Sequence, residues 1–226
     1  MTDQILTRVE AGVAVATLNR PERYNALSVE MLNDLGGILS GWAEDPDIGC
    51  VVLTGAGRAF CSGGDVRFDA RQDLATTRMS LALACDMRVV AKSARMTTAF
   101  AKVGLSGDYG GTYFLTRLLG PSLARELYLT ADLLDADRIA ALGLANRVVD
   151  DAVLADETMA IARRFAQGPR VAYRYIKRNL KAAEEGDLSH TLDAEAIGML
   201  RTRMTEDHRE AAQAFVEKRA PVFKGR

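Results

Sequence analysis

The chain has 226 residues, 48% of them hydrophobic and 26% charged, enough for one ordinary core or a core with an appendage. Its 29 basic and 30 acidic residues leave a net charge of −1, so no global field points to nucleic acid. Cys50, Cys61 and Cys85 lack metal-ligand spacing and read as free thiols. No charged-then-apolar leader opens the chain and no apolar run is long enough to span a bilayer, so we expect a cytoplasmic protein without a membrane partner.

In chain order, residues 5–10 and 13–18 alternate apolar and polar residues around Gly12, which predicts a hairpin. Ser28 is placed to cap a helix running to about Glu44. Met31, Leu32, Leu35, Ile38, Leu39 and Trp42 recur on its buried face, and Asp45-Pro46-Asp47 stops it. The apolar, β-branched run at 50–54 predicts a buried strand. Strands are expected at 87–91 and 96–100, and helices at 113–119, 122–129 and 135–142, punctuated by Gly120-Pro121 and Gly143. Beyond Asp151 the pattern turns all-helical, with stretches at 152–167, 171–184, 188–204 and 207–218. The expected architecture is an α/β core over residues 1–168 followed by a helical region over 169–226.

The segment with most chemical promise is Arg58-Ala59-Phe60-Cys61-Ser62-Gly63-Gly64-Asp65-Val66, directly after the strand at 50–54. Glycines there let a ligand approach backbone N–H groups, which suits an oxygen that becomes an enolate. The plainer reading of the same glycines is a tight strand-to-helix turn. Asp108, in Gly107-Asp108-Tyr109-Gly110-Gly111, is the acid–base candidate, and its plainer reading is a cap or turn residue. Other constellations fail. Cys61 has no histidine near it in sequence, and His190 and His208 lie in the helical tail, where surface or satisfied histidines are expected. Ser62 is in no nucleophile elbow, and Gly55-Ala56-Gly57 completes no dinucleotide fingerprint.

These blocks occur in a telling order. Asn19-Arg20-Pro21-Glu22-Arg23-Tyr24-Asn25-Ala26-Leu27-Ser28 precedes the glycine pair. Ser80-Leu81-Ala82-Leu83-Ala84-Cys85-Asp86, Gly107-Asp108-Tyr109-Gly110-Gly111-Thr112, Leu115-Thr116-Arg117-Leu118-Leu119-Gly120 and Ala141-Leu142-Gly143-Leu144-Ala145-Asn146 follow it. Together they resemble the crotonase family of enoyl-CoA hydratases and isomerases over nearly the whole chain, closest in motif to its aspartate-bearing isomerases.

The resemblance implies a spiral of strand-strand-helix units with a C-terminal helical oligomerisation region, and a homotrimer or a dimer of trimers. It implies an acyl-CoA thioester substrate, no cofactor beyond the coenzyme A of that substrate, and no metal. The Gly64 N–H would be one oxyanion donor, and Asp108 would move the proton. Backbone around Arg23, Tyr24 and Ala26 and around Ser62, Gly63, Asp65 and Val66 would grip the coenzyme A portion. A solvated loop arginine is the plainer reading of Arg23. Phe100 and Tyr109 would shape an apolar acyl pocket.

The departures are informative. The two glutamates that hold water in typical hydratases match Ser80 and Phe100 here, and neither is a carboxylate. Hydration needs a group to activate water and one to deliver a proton, so isomerisation by a single carboxylate is the leading expectation. A hydratase using Asp108 and another group is the second reading, and a non-catalytic CoA-binding or structural paralogue the third. Family members carry about thirty more residues before Ser80, one βαβ unit. A glycine-rich turn within that unit supplies their second oxyanion donor.

Overall fold

The computed structural model describes residues 3–63, 79–108 and 110–226. Strands β1 (Ile5–Glu10) and β2 (Val13–Leu18) form the expected hairpin. Ala11 (φ 50°) and Gly12 (φ 75°) are both left-handed, the backbone that a two-residue hairpin turn demands. Helix α1 (Val29–Glu44) is capped by Ser28, whose Oγ accepts from the Met31 N–H at 3.1 Å, and it buries Met31 and Leu35. Strand β3 (Cys50–Gly55) completes a sheet of order β1-β2-β3. This strand is half-buried rather than buried, with Val51 43% exposed. The reason is its place at the end of the described sheet, where β2 is its neighbour on one side only.

The chain then passes through helix α2 (Met79–Leu83), strand β4 (Val89–Ala91) and strand β5 (Arg95–Met96). The strand expected at 96–100 stops at Met96. Two side-chain hydrogen bonds divert the backbone: Thr97 Oγ1 donates to the Ala131 carbonyl (3.1 Å) and Thr98 Oγ1 to the Leu127 carbonyl (2.9 Å). Ala99 becomes left-handed (φ 56°) and Phe100 leads into a short 3-10 turn, Ala101–Val103.

Helix α3 (Gly111–Thr130) joins the two helices expected here. Gly120 (φ 77°, ψ 165°) breaks the helical path just before Pro121, so the two halves run in tandem across a kink. Strand β6 (Leu134–Asp135) pairs antiparallel with β5. Helix α4 (Ala136–Ala141) starts at Asp135, whose carboxylate accepts from the Arg138 N–H. Strand β7 (Arg147–Val149) pairs parallel with β4, with Val90 opposite Val148. Helices α5 (Leu154–Ala166), α6 (Arg170–Glu185), α7 (Leu188–Arg203) and α8 (Glu206–Glu217) make the all-helical tail.

The chain divides into two compact units. The first comprises residues 1–7, 16–41 and 53–159, and the second 8–15, 42–52 and 160–226. The first unit's core gathers Leu83, Leu115, Ala124, Leu127, Leu134, Ile139 and Leu144. In the second, α6 packs along α7. Near its end the buried Asp207 carboxylate accepts from the Lys224 and Gly225 N–H groups (2.7 and 2.9 Å), and Arg219 bridges Glu210 and Glu217. No helix among the described residues is long and apolar enough to cross a membrane.

Candidate active site

Two groups of sequence-predicted residues fall in the first unit. One is the pair of loops around Tyr24 and Ser62. Asn25 is fully buried and locks them together. Its Nδ2 donates to the carbonyls of Ala56 (2.9 Å) and Ala59 (2.6 Å), and its Oδ1 accepts from the Arg20 N–H (2.8 Å). Tyr24 and Asn25 are both left-handed (φ 49° and 57°), a costly backbone for side-chain-bearing residues that persists because these bonds over-determine it. Ser62 donates through its N–H to the Tyr24 carbonyl (2.9 Å) and through Oγ to the Arg23 carbonyl (3.2 Å), and the Leu27 N–H donates to the Gly63 carbonyl (2.8 Å). The loop that leaves β3 is thereby stitched to residues 23–27.

Glycine is required at one point of this seam. A Cβ on Gly55 would overlap the Ala59 and Phe60 carbonyls and come within 2.7 Å of Asn25 Nδ2. At Gly63 (φ 109°) a Cβ would come within 4 Å of nothing among the described residues. Arg23 and Tyr24 are exposed. Ala26 is buried and both its backbone groups are engaged: its N–H donates to the Arg23 carbonyl (3.0 Å) and its carbonyl accepts from Arg20 Nη1 (2.6 Å). Gly64, Asp65, Val66 and Tyr109 lie outside the described residues, as does the side chain of Ser80.

The second group surrounds Asp108. Its carbonyl accepts from the Gly111 N–H (3.1 Å) and so opens α3. The cap position of that helix is Gly110, left-handed at φ 76°. Asp108 Oδ1 is buried from solvent. In its backbone Asp108 is the turn residue of the plainer reading, and one oxygen of its side chain is buried.

Sequence reasoning passed over Tyr128, which the fold brings to the same place. Burial first, and then the negative charge of Asp108, push its hydroxyl up to about 12, so it is neutral at neutral pH. Its ring stacks nearly parallel on Phe100, with centroids 6.0 Å apart and planes 6° from parallel. The Thr97 and Thr98 bonds to α3 hold Phe100 in that position. Gly107 (φ 106°) passes close under the ring, where a Cβ would stand 3.0 Å from Tyr128 Cε1. A signal existed in the sequence. Ala124, Leu127 and Ala131 form the buried stripe of this helix, and a tyrosine beside them carries a hydroxyl that burial obliges to find a partner. Asp108, Tyr128 and Phe100 thus combine one carboxylate, one neutral phenol and an apolar ring, a set fit for moving a proton next to a largely apolar guest.

The sequence pattern of the enoyl-CoA hydratase/isomerase family matches residues 75–226, and a second pattern of the same family matches residues 13–80. This chain belongs to the enoyl-CoA hydratase/isomerase family. It is 34% identical to the 1,2-epoxyphenylacetyl-CoA isomerase of Escherichia coli strain K12, an alignment of 263 positions that covers 100% of both chains. It is 33% identical to a probable enoyl-CoA hydratase of Rhodobacter capsulatus, over 96% of each chain. Among solved structures, an enoyl-CoA hydratase of Bacillus anthracis superposes with a TM-score of 0.93 at 28% identity, covering 99% of this chain and 100% of that one. A structure from Geobacillus kaustophilus HTA426, titled as an enoyl-CoA hydratase subunit, gives the same TM-score at 30% identity, covering 99% and 98%. The crotonase fold expected from the sequence is therefore the fold of this chain.

Proposed function

We propose that this family member isomerises acyl-CoA thioesters, with Asp108 as its single acid–base group. Asp108 takes a proton from the carbon beside the thioester of a 3-enoyl chain. The electron pair flows into the thioester carbonyl, and the resulting dienolate oxygen is held by the Gly64 N–H and a second donor. The same carboxyl returns the proton at the far end of the dienolate, giving the 2-enoyl isomer. The observation that carries this reading is the buried Asp108 oxygen, whose carboxylate charge acts on the neutral phenol of Tyr128. The identity to an isomerase over the full chain supports it. Substituting Asp108→Asn keeps the shape and removes the base. Turnover of 3-enoyl- and dienoyl-CoA and exchange of the substrate α-proton in deuterated water should both fall by about a hundredfold or more. A fully active variant would move the chemistry elsewhere.

Hydration of 2-enoyl-CoA is the second reading, favoured by the hydratase names among the relatives and by the Tyr128 hydroxyl as a second polar group. Assaying 2-enoyl-CoA in the same series separates the two. On either reading the thioester is the recognised group, so an acyl-CoA should bind far more tightly than its free acid in calorimetry. The coenzyme A enters with the substrate, and the acid–base step calls for no other cofactor. We place the enzyme in the cytoplasm and assign it a homotrimer or a dimer of trimers. The support is the apolar surface left exposed on the tail, at Ile176, Leu180, Leu192, Ile197, Met199 and Leu200. Light scattering at micromolar concentration checks the assembly, and a stable, active monomer would refute it.

A further inference from the structure

We infer that Tyr128 is a specificity-determining residue: its hydroxyl hydrogen-bonds an oxygen atom carried by the acyl chain, so the site selects oxygen-bearing acyl-CoA thioesters over plain hydrocarbon ones. The inference rests on the proposed placement of the acyl chain beside Asp108.

Tyr128 Oη is sealed from solvent and has no hydrogen-bond partner among the described residues. A buried hydroxyl in that condition is costly, and native structures seldom leave one unless a water, ion or ligand completes it. The phenol stays protonated at neutral pH, so it can donate as well as accept. Its ring cannot easily swing the hydroxyl out to water. Phe100 stacks on one side and Gly107 approaches at Cε1. The hydroxyl is therefore a fixed polar point beside an apolar ring, with the Asp108 charge acting on it.

A hydrocarbon chain laid against such a point leaves the hydroxyl unsatisfied and displaces any water that served it. A chain bearing a hydroxyl, ketone or ether oxygen at the right carbon satisfies it. Sites that hydrogen-bond a substrate oxygen discriminate strongly against the analogue that lacks it, because the site's own polar group is then left bare. A bound water would make the same hydrogen bond but give no preference between the two chains.

Binding alone tests this without relying on turnover. Calorimetry compares hexanoyl-CoA with hexanoyl-CoA carrying a hydroxyl or a ketone at C3, C4, C5 or C6, on the native protein and on Tyr128→Phe. The native protein should prefer at least one oxygen-bearing chain by about tenfold or more, and Tyr128→Phe should erase that preference. Phenylalanine keeps the stack on Phe100, and the melting temperature of the variant should be no lower than native. The absence of any preference in the native protein would overturn the inference. So would a preference that survives in Tyr128→Phe, or an equal loss for both kinds of chain, which would mark a water at Tyr128 instead. Because affinity is read with saturated chains, an Asp108→Asn variant that still turns over substrate would sink the proton-transfer reading while leaving this result standing.

Discussion

Removing the Asn25 side chain should cost this protein a large part of its stability and loosen the loop around Ser62 and Gly63. The cleanest perturbation is Asn25→Gly, because glycine accepts the left-handed backbone (φ 57°) without penalty and so isolates the side-chain bonds. Three hydrogen bonds disappear, to the Ala56 and Ala59 carbonyls and from the Arg20 N–H, at 2.6–2.9 Å. At about 1 kcal/mol each, they sum to about 3 kcal/mol, and to more where a carbonyl stays dry. Two backbone effects act in opposite directions. Glycine raises the entropy of the unfolded chain, costing roughly 1 kcal/mol, while relief of left-handed strain returns a similar amount. The net expectation is about 3 kcal/mol, a substantial fraction of the roughly 5–15 kcal/mol that holds an ordinary domain. Urea unfolding measures it, and acyl-CoA affinity on the folded variant should fall as well, because Ser62 and Gly63 are stitched to the same segment. A loss under about 1 kcal/mol with native affinity would mean that water replaces these bonds and that Asn25 is no clamp.

Gly107→Ala should destabilise by about 1–3 kcal/mol, since it combines a left-handed φ of 106° with a Cβ pressed on Tyr128, and tyrosine fluorescence should report the displaced ring. Stability should fall as pH rises from 10 to about 12: an unfolded Tyr128 loses its proton near 10, whereas the folded one holds it to about 12, and Tyr128→Phe should remove that part of the slope in pH-dependent melts. At the other extreme, the Arg219 hydrogen bond holds Glu210 down at about 2. The support it gives the C-terminal turn is present above pH 4.5 and is lost as pH falls from 4.5 toward 2, and Glu210→Gln should flatten the acid limb of the melting curve.

The elements that the sequence disclosed are those governed by neighbours a few residues away. The 5–18 hairpin follows from alternation and a left-handed turn, α1 from the Ser28 cap, and the tail from helical periodicity. The strand expected at 96–100 failed because its outcome depends on partners about thirty residues away. Thr97 and Thr98 have high strand propensity, yet their hydroxyls reach the Ala131 and Leu127 carbonyls at the end of α3, and those bonds win. Asn25 sat unremarked within a quoted motif, since nothing local says that its amide reaches Ala56 and Ala59. Tyr128 was hidden for the same reason: twenty positions separate it from Asp108, and only the kink at Gly120 and the Phe100 loop give the pair its common setting.

That setting bears on how one carboxylate can serve where typical hydratases are expected to use two. Isomerisation asks one carboxyl to take a proton and to give one back, whereas hydration also asks for a positioned water. Asp108 has the buried oxygen, Phe100 the apolar wall, and Tyr128 a hydroxyl with no charge to compete for the proton at neutral pH. Phe100, which by the resemblance stands where typical hydratases carry a glutamate, brings no second carboxylate to Asp108. Proton removal and return by the same group is what the proposed allylic isomerisation requires of Asp108.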